Sequence, residues 1–365
     1  MKKVGVLTTH RANNFGSQLQ AFALSRYLDS MPGVDCQIIE YIPPNSDLGS
    51  YLPARSMKDV VRNGLVFLRK RRYDIWTSSM QQFVAEHMVT SEKVYTDETL
   101  AELSDEFDAV VCGSDQIWNP ELRDASLSFF LPQPTGLRKV AYAPSMGSGS
   151  FTVDERSVVS AALADFHRLS VRDKRSHEII SHLTDKDISI VVDPSLLLEP
   201  AVYLEKSAPP QYDDDYIFLF SVKYDEAAIR AARNASRILG LPVRVMITGR
   251  KALYSESLYG FEVAPSSSPS DFLSLIKGAR VVLSNSFHGT AFSIIFQKCF
   301  YVVQDMEGRT DTRLESLLEA CGLSERVLSP HSVSISDDEP NYSAAAIIRE
   351  QSVSHAKGYL EEALA

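Results

Sequence analysis

The sequence predicts an α/β protein built as two Rossmann-like domains facing across a cleft. Three observations carry this. Short β-branched runs alternate with segments whose apolar residues recur at three and four, the pattern of parallel strands covered by helices on both faces. At 365 residues the chain is too long for one ordinary core. The alternation breaks at Glu199-Pro200, Ala208-Pro209-Pro210 and Asp213-Asp214-Asp215, where prolines and charge mark a boundary. The expected division is an N-terminal domain over 1–203, a C-terminal domain over 204–330, and a helical tail over 331–365 that packs back on the N-terminal domain.

In the first half, strands are expected at Val4-Gly5-Val6-Leu7, Cys36-Gln37-Ile38-Ile39, Asp108 to Cys112, Val140-Ala141-Tyr142, Leu169-Ser170-Val171 and Ile188 to Val192. In the second half they fall at Tyr216 to Phe220, Val243 to Ile247, Val281-Val282-Leu283 and Phe300 to Val303. Helical spacing runs over Ser17 to Leu28, Val153 to Phe166, Glu226 to Leu239 and Ser270 to Lys277, with a last helix from Ala344 to Ala365. Periodicity supports the alternation and leaves the strand order open.

Composition narrows the class. With 44% hydrophobic and 23% charged residues, and no apolar run long enough to span a bilayer, the chain reads as an ordinary globular protein. Met1-Lys2-Lys3 leads straight into a strand and lacks the pattern of a secretory signal, so cytoplasmic residence is expected. Cys36, Cys112, Cys299 and Cys321 form no C-x-x-C pair, which argues against a zinc cage or disulfide framework; no cofactor or metal is expected. A net charge of −10 argues against nucleic acid as a partner. The local exception is Arg55, Lys58, Arg62, Arg69, Lys70, Arg71 and Arg72 against Asp59, interleaved with apolar residues. This stretch over 55–72 suits either a solvated helix or peripheral contact with the anionic inner face of a membrane.

Ligands of open parallel sheets bind beyond the carboxyl ends of the strands. The segments there are Thr8 to Ser17, Gly113 to Pro120, Ala143 to Ser148, Arg172-Asp173, Asp193-Pro194-Ser195, Thr248-Gly249-Arg250, Ser284 to Thr290 and Gln304 to Arg309. In the seventh of these, His288 follows a strand and opens a helix. Free N–H groups at a helix start attract anions, and the positive end of the dipole lowers an imidazole's pKa, into a range useful for proton transfer near neutral pH. The plain alternative is a histidine satisfied beside an N-cap. In Gly113 to Pro120, Trp118 offers a face on which a sugar ring can stack, flanked by Asp115, Gln116 and Asn119; a plug at the domain interface is the alternative. Asp193-Pro194-Ser195 and Asn14-Phe15-Gly16 each have a reading as a simple capping turn.

These segments, with Leu19-Gln20-Ala21-Phe22-Ala23-Leu24, Tyr142-Ala143 and Ser286-Phe287-His288-Gly289, make the chain resemble the polysaccharide pyruvyl transferase family over roughly residues 4 to 320. The resemblance implies a glycosyltransferase-B-like fold, phosphoenolpyruvate as donor, and a saccharide acceptor, free or lipid-linked, that receives a pyruvyl ketal. It implies that His288 is the acid or base at the donor and that Arg172 holds donor anionic groups. One departure stands out. The family pattern has arginine two residues before the histidine, where this chain has Ser286, which lacks the charge and the bidentate fork. Arg250, Arg309 and Arg313 are the candidate replacements.

The chemistry asks for a proton on the enol methylene, attack by a sugar hydroxyl and loss of phosphate; histidine serves both directions of transfer. His288 is therefore expected as catalytic. Asn14, Gly16, Asn285, Ser286, Gly289, Thr290 and Arg172 are expected at the donor, with Arg250 or Arg309 as cation, and Asp115, Gln116, Trp118 and Asn119 at the acceptor. Two other readings stay open: a glycosyltransferase using a nucleotide sugar, and a non-catalytic glycan-binding relative.

Overall fold

A computed structural model describes residues 1–44, 57, 70–122, 125–133, 136–221, 224–246, 257–332 and 335–365. The basic stretch over 55–72 and Arg250 lie outside the described residues, apart from Met57 and the backbone of 70–72.

The N-terminal sheet holds β1 (Lys2–Leu7), β2 (Val34–Tyr41), β3 (Thr90–Tyr95), β4 (Ala109–Cys112) and β5 (Arg138–Ala141), all parallel, in the order β3-β2-β1-β4-β5. A parallel bridge between Val140 and Arg168 attaches the pair β6 (Leu169–Val171) and β7 (Ile188–Ile190) beyond β5. The C-terminal sheet contains β8 (Ile217–Phe220), β9 (Val243–Val245), β10 (Ser257–Leu258), β11 (Phe261–Val263), β12 (Val281–Ser284), β13 (Cys299–Val303) and β14 (Val327–Leu328). Its order is β10-β11-β9-β8-β12-β13-β14, and only the β10–β11 pair is antiparallel. Strands β4, β8 and β12 are buried along their whole length, as expected for sheets covered on both faces.

Chain order reverses between β1 and β4 in one sheet and between β8 and β12 in the other. Such reversals open crevices at the carboxyl ends of the strands. Helix α1 (Phe15–Asp29) follows β1, with the Asn14 side chain capping it by accepting from the Gly16 and Ser17 N–H groups. Among the described residues this half also holds helices α2 (Lys70–His87), α3 (Val153–Ala164) and α4 (Lys174–Ser181). In α3, Thr152 and Glu155 form a capping box.

The boundary segment is packed. Pro200 starts α5 (Pro200–Leu204), and the buried Tyr203 ring lies 6.2 Å from Phe22 and 5.0 Å from Phe292. The second half contributes α6 (Glu226–Leu239), α7 (Pro269–Gly278), α8 (Phe287–Ile295) and α9 (Thr312–Ala320). Helix α1 packs against α7 and α8, and Phe15 lies 5.7 Å from Phe272, so one apolar core runs through both domains. The last helix, α10 (Tyr342–Leu364), returns to the first domain, where the Tyr359 hydroxyl donates to the Ala141 carbonyl at 2.8 Å. All four cysteines are buried and unpaired. No described helix is long and apolar enough to cross a membrane.

Candidate active site

His288, after β12, meets Gly16, after β1, where the two chain reversals face each other, and Arg172, after β6, lies beside them. His288 sits in the first turn of α8, with its side chain 9% exposed. Gly16, at the start of α1, faces the imidazole: a Cβ on Gly16 would stand 2.0 Å from Nδ1. The opposite nitrogen, Nε2, is buried without a hydrogen-bond partner among the described residues and lies 3.9 Å from Asp193 Oδ2. That same carboxylate oxygen accepts from Arg172 Nη1 at 2.6 Å. Arg172 Nη2 points to Asp115 Oδ1 at 3.5 Å, and the Ser17 hydroxyl donates to Asp115 Oδ2 at 2.6 Å. The Phe287 ring covers the guanidinium, with its centroid 4.1 Å away.

Burial pulls the His288 imidazole below its ordinary range; Asp193 and Asp115 oppose this, while Arg172 and Arg313 reinforce it. Burial pushes the Asp115 carboxyl up, yet His288, Arg172, the Ser17 hydroxyl and Arg313 together hold it below the usual carboxylate range. The cluster therefore pairs a neutral imidazole with two carboxylates and a buried guanidinium. Arg172 was expected to face the donor's anionic groups. Its two Nη atoms face carboxylates, and only Nε is left without a partner. A cavity of about 310 Å³ adjoins this pair, lined by Arg172, Asp193, Phe287, Leu317 and His355 among others; His288 is not on its wall. That volume is at the small end for ligand sites.

Four expectations at the α8 start need correction, because Asn285, Ser286, Gly289 and Thr290 are already engaged within the protein. Ser286 is the N-cap: its hydroxyl accepts from the Gly289 N–H at 3.4 Å, which commits that oxygen to the helix. The Thr290 N–H and hydroxyl both donate to the Ser286 carbonyl, and Thr290 is fully buried. The N–H groups of Gly289 and Thr290 are thus spent, and those left for an anion belong to Phe287 and His288. Asn285 holds the Ser221 hydroxyl through Oδ1 at 2.9 Å, and Asn14 serves its own helix.

Trp118 is also corrected. It is 1% exposed, stacked on Phe130 at 4.6 Å, and donates through Nε1 to the Phe129 carbonyl, so no sugar can reach its face. A single polar atom with an internal acceptor lets the large ring join the core. Gln116 and Asn119 bond to each other at 3.1 Å against Gly147 and Gly149, where a Cβ would clash with them. Arg309 is 72% exposed and paired with Asp305 and Glu307, so it is spent on its own loop. Arg313, its side chain 17% exposed and held by Asp311, is with Arg172 one of two cations felt by both His288 and Asp115. Asp193, Ser17 and Phe287 were not anticipated as site residues. Ser17 and Phe287 lie in segments already placed at the strand ends, without a role of their own, and Asp193 lies in Asp193-Pro194-Ser195, which has an equally good reading as a capping turn; Asp193 does accept from the Ser195 N–H at 3.0 Å.

Among solved structures, the UDP-GlcNAc 2-epimerase of Neisseria meningitidis bound to UDP-GlcNAc matches 100% of this chain and 94% of its own, at a TM-score of 0.52 and 11% identity. A Listeria monocytogenes protein named for the same activity matches 98% of this chain and 90% of its own, at a TM-score of 0.51 and 11% identity. At such identity the likeness shows the fold, two Rossmann-like domains facing across a cleft. No curated protein matches the sequence. A sequence profile described as polysaccharide pyruvyl transferase matches residues 14–304. That span takes in α1, the β8–β12 reversal, Arg172 and His288, and the chain belongs to the polysaccharide pyruvyl transferase family, a family of transferases.

Proposed function

We propose that this transferase moves the enolpyruvyl unit of phosphoenolpyruvate onto two hydroxyls of a sugar in a surface polysaccharide or its precursor, closing a pyruvyl ketal. The observation that carries this is the seat of His288: a helix start at the junction of two chain reversals, with Nδ1 opposite Gly16 and Arg172 and Arg313 nearby. In this reading protonated Nδ1 gives its proton to C3 of the donor, and C2 becomes oxocarbenium-like. A sugar hydroxyl bonds to C2 and returns a proton to the imidazole. The C2–O bond to phosphate breaks, and a second hydroxyl closes the ring as it gives its proton to the departing phosphate. Such acid–base help contributes about 10²–10⁴-fold.

Burial keeps the free imidazole neutral, which suits it as the base. A bound anionic donor would raise its proton affinity and make it the acid for the first step. The first-turn N–H groups of Phe287 and His288, with Arg313, would hold the phosphate and carboxylate. Asp115, Gln116 and Asn119 border the acceptor side.

Two measurements test the reading. Titration calorimetry is expected to show heat with phosphoenolpyruvate and none with UDP; the reverse favours a nucleotide-sugar glycosyltransferase. Turnover in D₂O is expected to leave one deuterium in the ketal methyl. A folded His288→Gln variant working at the wild-type rate would sink the acid–base role.

A further inference from the structure

We infer that Asp193 is the positioning residue of His288: its carboxylate takes the Nε2–H of the neutral imidazole, so that the lone pair on Nδ1 faces the reacting groups. This rests on the reading above that His288 moves the protons.

Asp193 is almost fully buried and rigidly held. Its Oδ1 accepts from the Ser195 N–H at 3.0 Å and the Ser195 hydroxyl at 2.7 Å. Its Oδ2 accepts from Arg172 Nη1 at 2.6 Å and, more weakly, from the Ser114 hydroxyl at 3.4 Å. The remaining neighbour of Oδ2 is His288 Nε2 at 3.9 Å, across the domain contact. Nε2 is buried and has no other partner among the described residues, whereas Nδ1 packs against Gly16, where any side chain would strike the ring. A charge-assisted hydrogen bond spans about 2.7–2.9 Å, so an approach of roughly 1 Å completes the pair. Closure of two domains around a ligand supplies motion of that size. A histidine with a carboxylate on one nitrogen has a fixed tautomer and ring orientation. Asp115 is the other carboxylate near the ring, but its oxygens face Ser17 and Arg172. Arg172 thus orients Asp193, and the charged groups around His288 are Asp193, Asp115, Arg172 and Arg313.

The test is ¹⁵N NMR of His288 in the full chain. In the wild type the neutral ring is expected to carry its proton on Nε2; a proton on Nδ1 overturns the inference. In Asp193→Asn the His288 titration should move to lower pH, and in Arg172→Gln to higher pH, because the two side chains pull in opposite directions. Titrations that stay in place in both folded variants also overturn it. Should either variant fail to fold, the wild-type tautomer decides. With phosphoenolpyruvate, Asp193→Asn should lower kcat within the about 10²–10⁴-fold of acid–base help and change KM little. If the wild type turns over no phosphoenolpyruvate while tautomer and titrations behave as stated, the donor reading fails and the role of Asp193 stands.

Discussion

Gly16→Ala is the most direct probe of the contact between the two domains. The added Cβ would meet His288 Nδ1 at 2.0 Å, Cγ at 2.3 Å and Cβ at 2.8 Å. Comfortable heavy-atom contacts begin near 3.5 Å, so the ring or the start of α1 must retreat by about 1.5 Å. The imidazole cannot simply swing aside, since Phe287 lies beside it at 5.2 Å and the first turn of α8 is pinned by the Ser286 cap. Overpacking of this kind costs about 1–3 kcal/mol. Misplacing a reacting group by about 1 Å can cost 10²-fold in rate. We expect a lower urea midpoint and a kcat at least about tenfold down, with the circular dichroism spectrum unchanged. A Gly16→Ala protein with wild-type stability and turnover would mean that the two helix starts do not meet as described.

Four further outcomes follow from other sites. Trp118→Ala should destabilise by about 3–5 kcal/mol in urea melts, as a core truncation does, and leave the KM for phosphoenolpyruvate unchanged; a purely kinetic effect would restore a sugar-stacking role. Gly358→Ala, inside α10 with nothing within 4 Å of the new Cβ, should stabilise by about 0.5–1 kcal/mol, read as a raised Tm. The His288 pKa is lowered on folding from 6.5, so below that value the unfolded chain binds the extra proton and stability is lost as pH falls toward the folded value. Urea midpoints at about pH 7.5 and about pH 5.5 should therefore drop less in His288→Gln than in the wild type, and equal drops refute the shift. Arg313→Gln should weaken phosphoenolpyruvate binding by about 1.5–3 kcal/mol, roughly ten- to 150-fold in Kd by calorimetry, while Arg309→Gln leaves it unchanged; the opposite pattern would reassign the cation.

The sequence was legible where one physical pattern dominates. Buried parallel strands such as Ala109–Cys112 and Ile217–Phe220 are continuous apolar runs, and the eye finds them. β3 escaped because it is an edge strand: Glu92, Lys93 and Val94 are exposed, so Thr90–Tyr95 shows no run and no alternation. Strand order was out of reach, because it depends on which strands pair across tens of residues. At the site, the strand–turn–helix setting of His288 was plain from spacing. Side-chain direction was not. Trp118 and the amides beside it form one short segment, yet the ring turns into the core while Asp115 turns to Arg172. Asp193 was masked by its own versatility, since the sequence that caps a turn through Oδ1 also leaves Oδ2 free for a guanidinium.

Ser286 then has an explanation that does not begin with the donor. At the N-cap of α8 a hydroxyl satisfies one of the N–H groups that a helix start leaves over, as its contact to the Gly289 N–H does here. An arginine at that position would give up the cap to supply a charge. In this chain the two tasks sit on different helices. Ser286 closes α8, and Arg313, one residue into α9 and tied to its own N-cap Asp311, brings positive charge to His288 and Asp115 from the side. Arg172 acts on both groups as well, although Asp193 and Asp115 already face its guanidinium. Asp115 and Asp193 balance Arg172 and Arg313 around His288, so the free site has no net positive charge to set against a trianionic donor. In the proposed reaction, protonation of His288 on binding would supply a positive charge, and the proton taken up would be the one the enol carbon needs.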